Sequence, residues 1–374
     1  YRRLRCNAEI VEHRGTSAVD NFVAGADGRS ASFEGGTTVM NLLKLAGLTA
    51  IGLMVIALFM EERSAFDHDG HQRLFPKLVE HLARLDRVQM SGRDHSVELI
   101  RRDEVWRVVE RYDYPVDFKR LSSLLDKLSQ AVLTERKTAR VEQHDVLAVA
   151  LGPGSAGHRI FFPELGLEPL IVGKTATLRS GTFVRLGAEA QVWLADQNIE
   201  ITADPALWLD TQILSVPEPE IVSMTAFDDQ GEALFEINRN ATSGDLSLGN
   251  LPEGRALRYS TVLGPNFTAI GELQLVDVAP HLPERWEGAA SRVYRLRAGH
   301  TLTLKTVAVE KDFWMKVQLS EDGVLADSVD RMDAFMKITE AQRRAFDFKI
   351  SQRTYGDLTA GLEQFLKPLE EPIS

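Results

Sequence analysis

Cysteine is nearly missing: Cys6 is the only one in 374 residues. That excludes a disulfide framework and any multi-cysteine zinc site. Positive charge is short as well. Lys and Arg total 43 against 54 Asp and Glu, a formal net charge of -11. Binding along a phosphate backbone needs a positive field, so no nucleic-acid partner is expected. The complete signatures of common catalytic sites are also missing. The nine histidines are scattered and none forms an H-x-x-x-H pair. Gly152-Pro153-Gly154-Ser155-Ala156-Gly157 has G-x-G-x-x-G spacing. However, an apolar strand pattern follows it rather than the helix a dinucleotide site requires, and Pro153 removes a backbone donor. It is no nucleophile elbow either, because that turn needs glycine where Pro153 stands. Gly173-Lys174-Thr175 resembles the end of a phosphate-binding loop, yet the position that must be glycine is Glu168. A hairpin between two strands explains it better.

What is present begins with an unusual front. Residues 1–39 open on a basic stretch, Tyr1 to Arg5, and continue as a Gly/Ser/Thr/Ala-rich run without apolar periodicity. Such a run does not bury enough apolar surface to offset its ordering entropy. It reads as a disordered tail, or as sequence upstream of a natural start at Met40. From Leu42 to Met60, through Leu53, the chain is almost continuously apolar. Nineteen or so residues at 1.5 Å rise span roughly 28 Å, close to a bilayer's hydrocarbon thickness. Lys44 lies where it can snorkel to the head groups. No small-residue cleavage pattern follows, so the segment is expected to stay as an anchor in membrane lipid. Lys44 before the span and acidic residues after it place the N-terminus in the cytoplasm. The body is then periplasmic or extracytoplasmic, on a single-pass inner-membrane protein. Just beyond the span, Asp67, His68, Asp69 and His71 are the densest set of candidate metal ligands. They sit in a linker without an evident rigid surround, so no metal or other cofactor is expected.

The length allows two or three domains at roughly 150 residues each, or one repeat body. Three stretches share a β-β-β-α pattern. The first has strands at residues 87–90, 97–101 and 105–108, then a helix capped by Asp117 with Leu121, Leu124, Leu125 and Leu128 on one face. The second has strands at residues 221–224, 233–237 and 245–248, a hairpin turn at residues 228–231, and a helix over residues 266–275. The third has strands at residues 293–296, 302–305 and 313–315, then a helix over residues 329–344. A lead-in helix is expected over residues 75–86 and a closing one over residues 355–366. Four strands between residues 159 and 194 form a β-rich insert, and the proline-rich stretch at residues 216–220 reads as a stiff extended linker. The fold class is therefore α+β: repeated β-β-β-α units with mainly antiparallel sheets, preceded by one transmembrane helix. The expected divisions are 1–39 (tail), 40–62 (anchor), 63–138 (first unit with lead-in helix), 139–216 (insert), 217–280 (second unit) and 281–374 (third unit and closing helices).

Several short motifs carry a family resemblance in their order. They are Leu74-Phe75-Pro76, Trp106 followed by Tyr114-Pro115-Val116-Asp117, and Val172-Gly173-Lys174. Thr182-Phe183-Val184-Arg185, Gln191-Val192-Trp193-Leu194 and Trp208-Leu209-Asp210 continue the order. Over most of residues 74–280 the chain resembles the domain-of-unknown-function 4340 family. That resemblance implies a single-span extracytoplasmic protein, some members being similar to companions of gliding-motility-type ABC exporters. It implies no reaction, so no catalytic residue is carried over. Trp106, Trp193, Trp208 and Trp314 read as core-packing residues, with a sugar-binding face as the alternative. The expected function is a non-enzymatic auxiliary or scaffold subunit of a membrane complex, with ABC transporter subunits as candidate partners. A glycan- or lipid-binding module and an envelope hydrolase are the alternatives.

Overall fold

The computed structural model describes residues 72–368 apart from 77, 153, 178–179, 298 and 321–328. The expected anchor with Leu42, Lys44, Leu53 and Met60, and the Asp67, His68, Asp69 and His71 set, lie outside these residues. Among the described residues no helix is long and apolar enough to cross a membrane. The architecture is α+β, with two large antiparallel sheets and short helices.

The first sheet has ten strands. After β1 (Gln72–Arg73) come α1 (Leu78–His81), β2 (Arg87–Ser91), β3 (Ser96–Arg102), β4 (Val105–Val108) and β5 (Tyr114–Pro115). Next are α2 (Phe118–Gln130) and β6 (Val132–Arg136). Four strands complete the sheet: β7 (His158–Phe161), β8 (Leu170–Thr175), β9 (Thr182–Leu186) and β10 (Val192–Ala195). Their order is β1-β6-β10-β9-β8-β7-β2-β3-β4-β5. Two meanders are thus joined through their first strands, with Met90 opposite Ile160. The sheet runs across the division expected at residue 139, because β2 needs a partner on its open edge and β7 supplies one.

After β11 (Gln212–Leu214), the second sheet repeats this plan. It contains β12 (Ile221–Phe227), β13 (Ala233–Arg239) and β14 (Leu246–Leu248). A short α3 (Gly264–Phe267) and β15 (Leu273–Gln274), which pairs with β11, intervene. Then come β16 (Asp277–Pro280), β17 (Ala290–Leu296), β18 (Thr301–Val309), β19 (Asp312–Ser320) and β20 (Phe346–Ile350). The order is β14-β13-β12-β17-β18-β19-β20-β16. Again the first strands of two meanders pair, with Met224 opposite Tyr294. One continuous hydrophobic core includes residues of both sheets and of α2, whose Leu121, Leu124, Leu125 and Leu128 all point into it.

The long C-terminal helices expected from periodicity are broken. Val329–Phe335 forms α4 and Glu340–Ala345 forms α5. Between them Met336 bridges Leu214, the Ser215 amide donates to the Phe335 carbonyl, and the Lys337 amide donates to the Ile213 carbonyl. Thr339 then restarts the helix through a capping box with Gln342. The closing helix is likewise split into α6 (Gln352–Thr359) and α7 (Leu362–Phe365) around Gly361. The helix expected over residues 75–86 is shortened to α1 and a 3-10 turn, Leu82–Arg84. The one expected over residues 266–275 gives way to α3 and the pairing strand β15. The stretch at residues 216–220 carries a 3-10 turn, Glu218–Glu220, rather than an extended linker. At Met336 and at β15 a tertiary partner outweighs a weak local preference.

Candidate functional site

Two motifs far apart in sequence meet at the junction of the sheets. Tyr114-Pro115-Val116-Asp117 leaves the edge strand β5 and enters α2. The Asp117 carboxylate caps that helix by accepting from the Arg120 amide at 3.0 Å. Trp208-Leu209-Asp210 docks beside it in an antiparallel bridge, Val116 to Leu209. The Asp117 amide donates to the Trp208 carbonyl at 2.8 Å, and the Asp210 amide to the Pro115 carbonyl at 2.9 Å. Arg120 donates to the Leu207 carbonyl at 2.9 Å and lies 5.1 Å from the Trp208 ring centroid. Across the junction, the Tyr114 ring meets Phe346 edge-on at 5.3 Å, and Arg111 pairs with Asp277.

Desolvation at this junction raises the Asp210 carboxyl above the usual carboxylate range. A hydrogen bond from the Gln212 amide opposes the rise and the charge of Asp117 adds to it. Burial, reinforced by Asp210, pushes the Tyr114 hydroxyl far up, so it stays protonated. That hydroxyl has no hydrogen-bond partner among the described residues. Asp117 is committed to its cap, which leaves a joint between sheets rather than a pair of carboxylates poised for proton transfer.

The densest charged cluster lies on β20. Asp347 is fully buried on the strand face opposite Phe346 and Phe348. One oxygen accepts from His281 Nδ1 at 2.7 Å and Trp286 Nε1 at 3.1 Å. The other accepts from Arg285 Nη1 at 2.7 Å and the Leu282 amide at 3.1 Å. Lys316 Nζ stands 3.6 Å away and also donates to the Phe346 carbonyl at 3.0 Å. Burial lowers the Lys316 pKa, and Asp347 opposes that shift. Arg285 lies over the Trp314 ring at 4.1 Å. A buried aspartate holding a histidine by Nδ1 is the geometry of a general base and its orienting group. Here the carboxylate also serves Arg285 and Trp286, and among the described residues nothing bonds His281 Nε2. The cluster ties the connection at residues 281–286 onto the sheet.

The candidate tryptophan face is not assembled. Trp106 and Trp208 are 8% and 1% exposed and belong to the core, with Trp208 Nε1 bonded to the Thr202 carbonyl. Trp193 on β10 packs partly against that core beneath Arg136, and Trp314 lies in the other sheet under Arg285. Burial on strands β4 and β10 and in the 3-10 turn Pro205–Trp208 accounts for Trp106, Trp193 and Trp208. Gly173-Lys174-Thr175 lies in β8, and strand β7 follows the loop at residues 152–157. Asn266 is buried, and its Nδ2 donates to the Asp357 carbonyl. No cluster of three or more metal-ligating side chains occurs among the described residues. Sequence reasoning missed Asp347, His281, Arg285, Trp286 and Lys316. Alternation assigns Asp347 and Lys316 to a solvated face, and nothing in their spacing foretells the loop that covers them.

Comparison with known families and proteins adds one finding. The family described as "Domain of unknown function (DUF4340)" matches residues 106–296, about half of the chain, from Trp106 in β4 to Leu296 at the end of β17. The chain belongs to that family. No curated protein and no solved structure matches it.

Proposed function

We propose that this member of the DUF4340 family is a non-enzymatic, single-span membrane protein whose extracytoplasmic body serves as an auxiliary or scaffold subunit of a membrane complex. The apolar segment Leu42–Met60 is its anchor, and an ABC exporter is the complex that the family resemblance suggests. The observation that carries the docking role is an open sheet edge. Strand β14 pairs only with Ile237–Arg239 of the seven-residue β13. The Gly249 amide bonds the Glu236 carbonyl on that side, and among the described residues only residues 233–235, with Leu234 half exposed to solvent, have no partner on the outer side. Such an edge accepts an added strand from another protein. The three β-β-β-α stretches are repeats of one unit in this reading. Support comes from the shared plan of the sheets, in which first strands of successive meanders pair. A hydrolase has less support, because both oxygens of Asp347 are already engaged. So has a tryptophan-lined sugar site, because Trp106 and Trp208 face the core.

The test is an affinity pull-down of the full-length protein from its own membranes in mild detergent, followed by mass spectrometry. The expected result is stoichiometric recovery of permease and ATPase subunits, lost when Leu234 is replaced by Pro. Recovery of the protein alone, from membranes in which the complex survives extraction, would overturn the reading.

A further inference from the structure

Strand β9 sends Val184 into the main core and Arg185 to the opposite face. There Arg185 stands between its cross-strand neighbours Val192 and Ile171. Both belong to a second, small hydrophobic cluster completed by Val149. Residues 141–151 form a strap over this face. The strap is seated closely: a Cβ on Gly173 would lie 2.2 Å from the Leu147 carbonyl oxygen, and one on Gly157 would lie 2.3 Å from that of Ala148. The Lys174 amide donates to the Leu147 carbonyl at 3.0 Å, and His144 Nε2 bonds the Ala190 carbonyl at 2.9 Å.

Under the strap Arg185 is only 4% exposed. Its Nε donates to the Val149 carbonyl at 2.9 Å. Its Nη1 donates to the carbonyls of Gly187 at 3.0 Å and Glu189 at 2.9 Å. Among the described residues no carboxylate lies within ion-pair distance, and no acceptor bonds Nη2. Carbonyls satisfy hydrogen bonds but do not neutralise a charge, and a buried unpaired cation is costly. Burial lowers the Arg185 pKa, yet an arginine stays charged at physiological pH. Arg185 borders a cavity of about 770 Å³, with Arg93 and Ser155 on its walls. Asp145 and Glu189 also line it.

We propose that this cavity binds a small oxyanion, a carboxylate or a phosphate monoester, which pairs with the buried Arg185 guanidinium. Arg93 and Ser155 supply further donors from the rim. Asp145 and Glu189 repel extended polyanions, so the ligand carries one anionic group rather than many. This site is independent of the β13 edge proposed above for docking.

The test uses the full-length chain in detergent. Thermal unfolding is followed in sodium acetate, sodium phosphate and sodium chloride at matched ionic strength. A variant with the cavity mouth filled, Ser155→Trp, serves as control for general salt effects. The expected result is a saturable rise in Tm of about 2–4 °C with acetate or phosphate, absent in S155W, whose Tm in chloride matches the parent. A response to acetate alone marks a carboxylate ligand, and a response to phosphate alone a phosphate one. Arg185→Lys should weaken the response about tenfold, because a lysine lacks the planar fork. Equal, unsaturated responses in parent and S155W would overturn the proposal and leave Arg185 as a clamp for three carbonyls.

Discussion

Each large sheet buries a charged residue on the face turned away from the common core, and each is covered by a connection instead of water. In the second sheet Asp347 lies under the connection at residues 281–286. There it meets His281, Arg285, Lys316 and Trp286, so its charge is answered within the chain. In the first sheet Arg185 lies under the strap at residues 141–151 and meets only carbonyl oxygens. The contrast separates two uses of a buried charge. A fully answered one fastens a loop. A half-answered one beside a cavity is left to recruit its counter-ion from outside.

Breaking the answered cluster should have the largest effect. Asp347→Ala leaves Lys316 buried, and Arg285 partly buried, without a counter-charge, and is expected to cost about 3–5 kcal/mol in urea unfolding. A loss under about 1 kcal/mol would show that the connection at residues 281–286 rests on packing alone. The strap comes next. Gly173→Ala drives a methyl group into the Leu147 carbonyl, so a loss of about 1–3 kcal/mol is expected, with faster proteolysis within residues 141–151. Unchanged proteolysis would mean that the strap yields without lifting off Arg185.

The smallest effect is expected at the junction between the two regions, and it is a pH dependence. The folded Asp210 pKa is raised, so its contribution to stability is fully present below the ordinary carboxylate pKa. It is lost as pH rises through the raised value. Asp210→Asn cannot ionise and should remove that loss, so its stability at neutral pH relative to acidic pH should rise compared with the parent. Parallel stability curves for parent and D210N would show that the junction leaves the Asp210 carboxyl as solvated as in the unfolded chain.

Much of the fold was legible residue by residue. The leucines at residues 121, 124, 125 and 128 announced α2, and Asp117 announced its start. A cap of the same local kind starts the 3-10 turn Pro205–Trp208, where the Asp204 side chain accepts from the Ala206 amide. Asp228 to Gly231 marked a hairpin whose Asp228 carboxylate accepts from the amides of Gln230 and Glu232. These signals are local, because a helix face, a cap or a turn involves neighbours within a few residues. The break near Met336 was not legible, since the groups that interrupt the helical pattern come from β11. The buried charges were hidden for a similar reason. Strand β20 was not foreseen at all, and the alternation of Phe346, Phe348 and Ile350 would in any case mark its other face only as polar.

By itself, then, the sequence determined the antiparallel strands, the amphipathic α2, the turn positions, the acidic balance and the apolar segment at residues 42–60. Tertiary structure alone decided that β2 joins β7 and β12 joins β17, and that loops cover Asp347 and Arg185. The physical reason is range. Periodicity and capping record which face of an element avoids water, whereas what lies on the other face depends on which distant segment the folded chain brings across it.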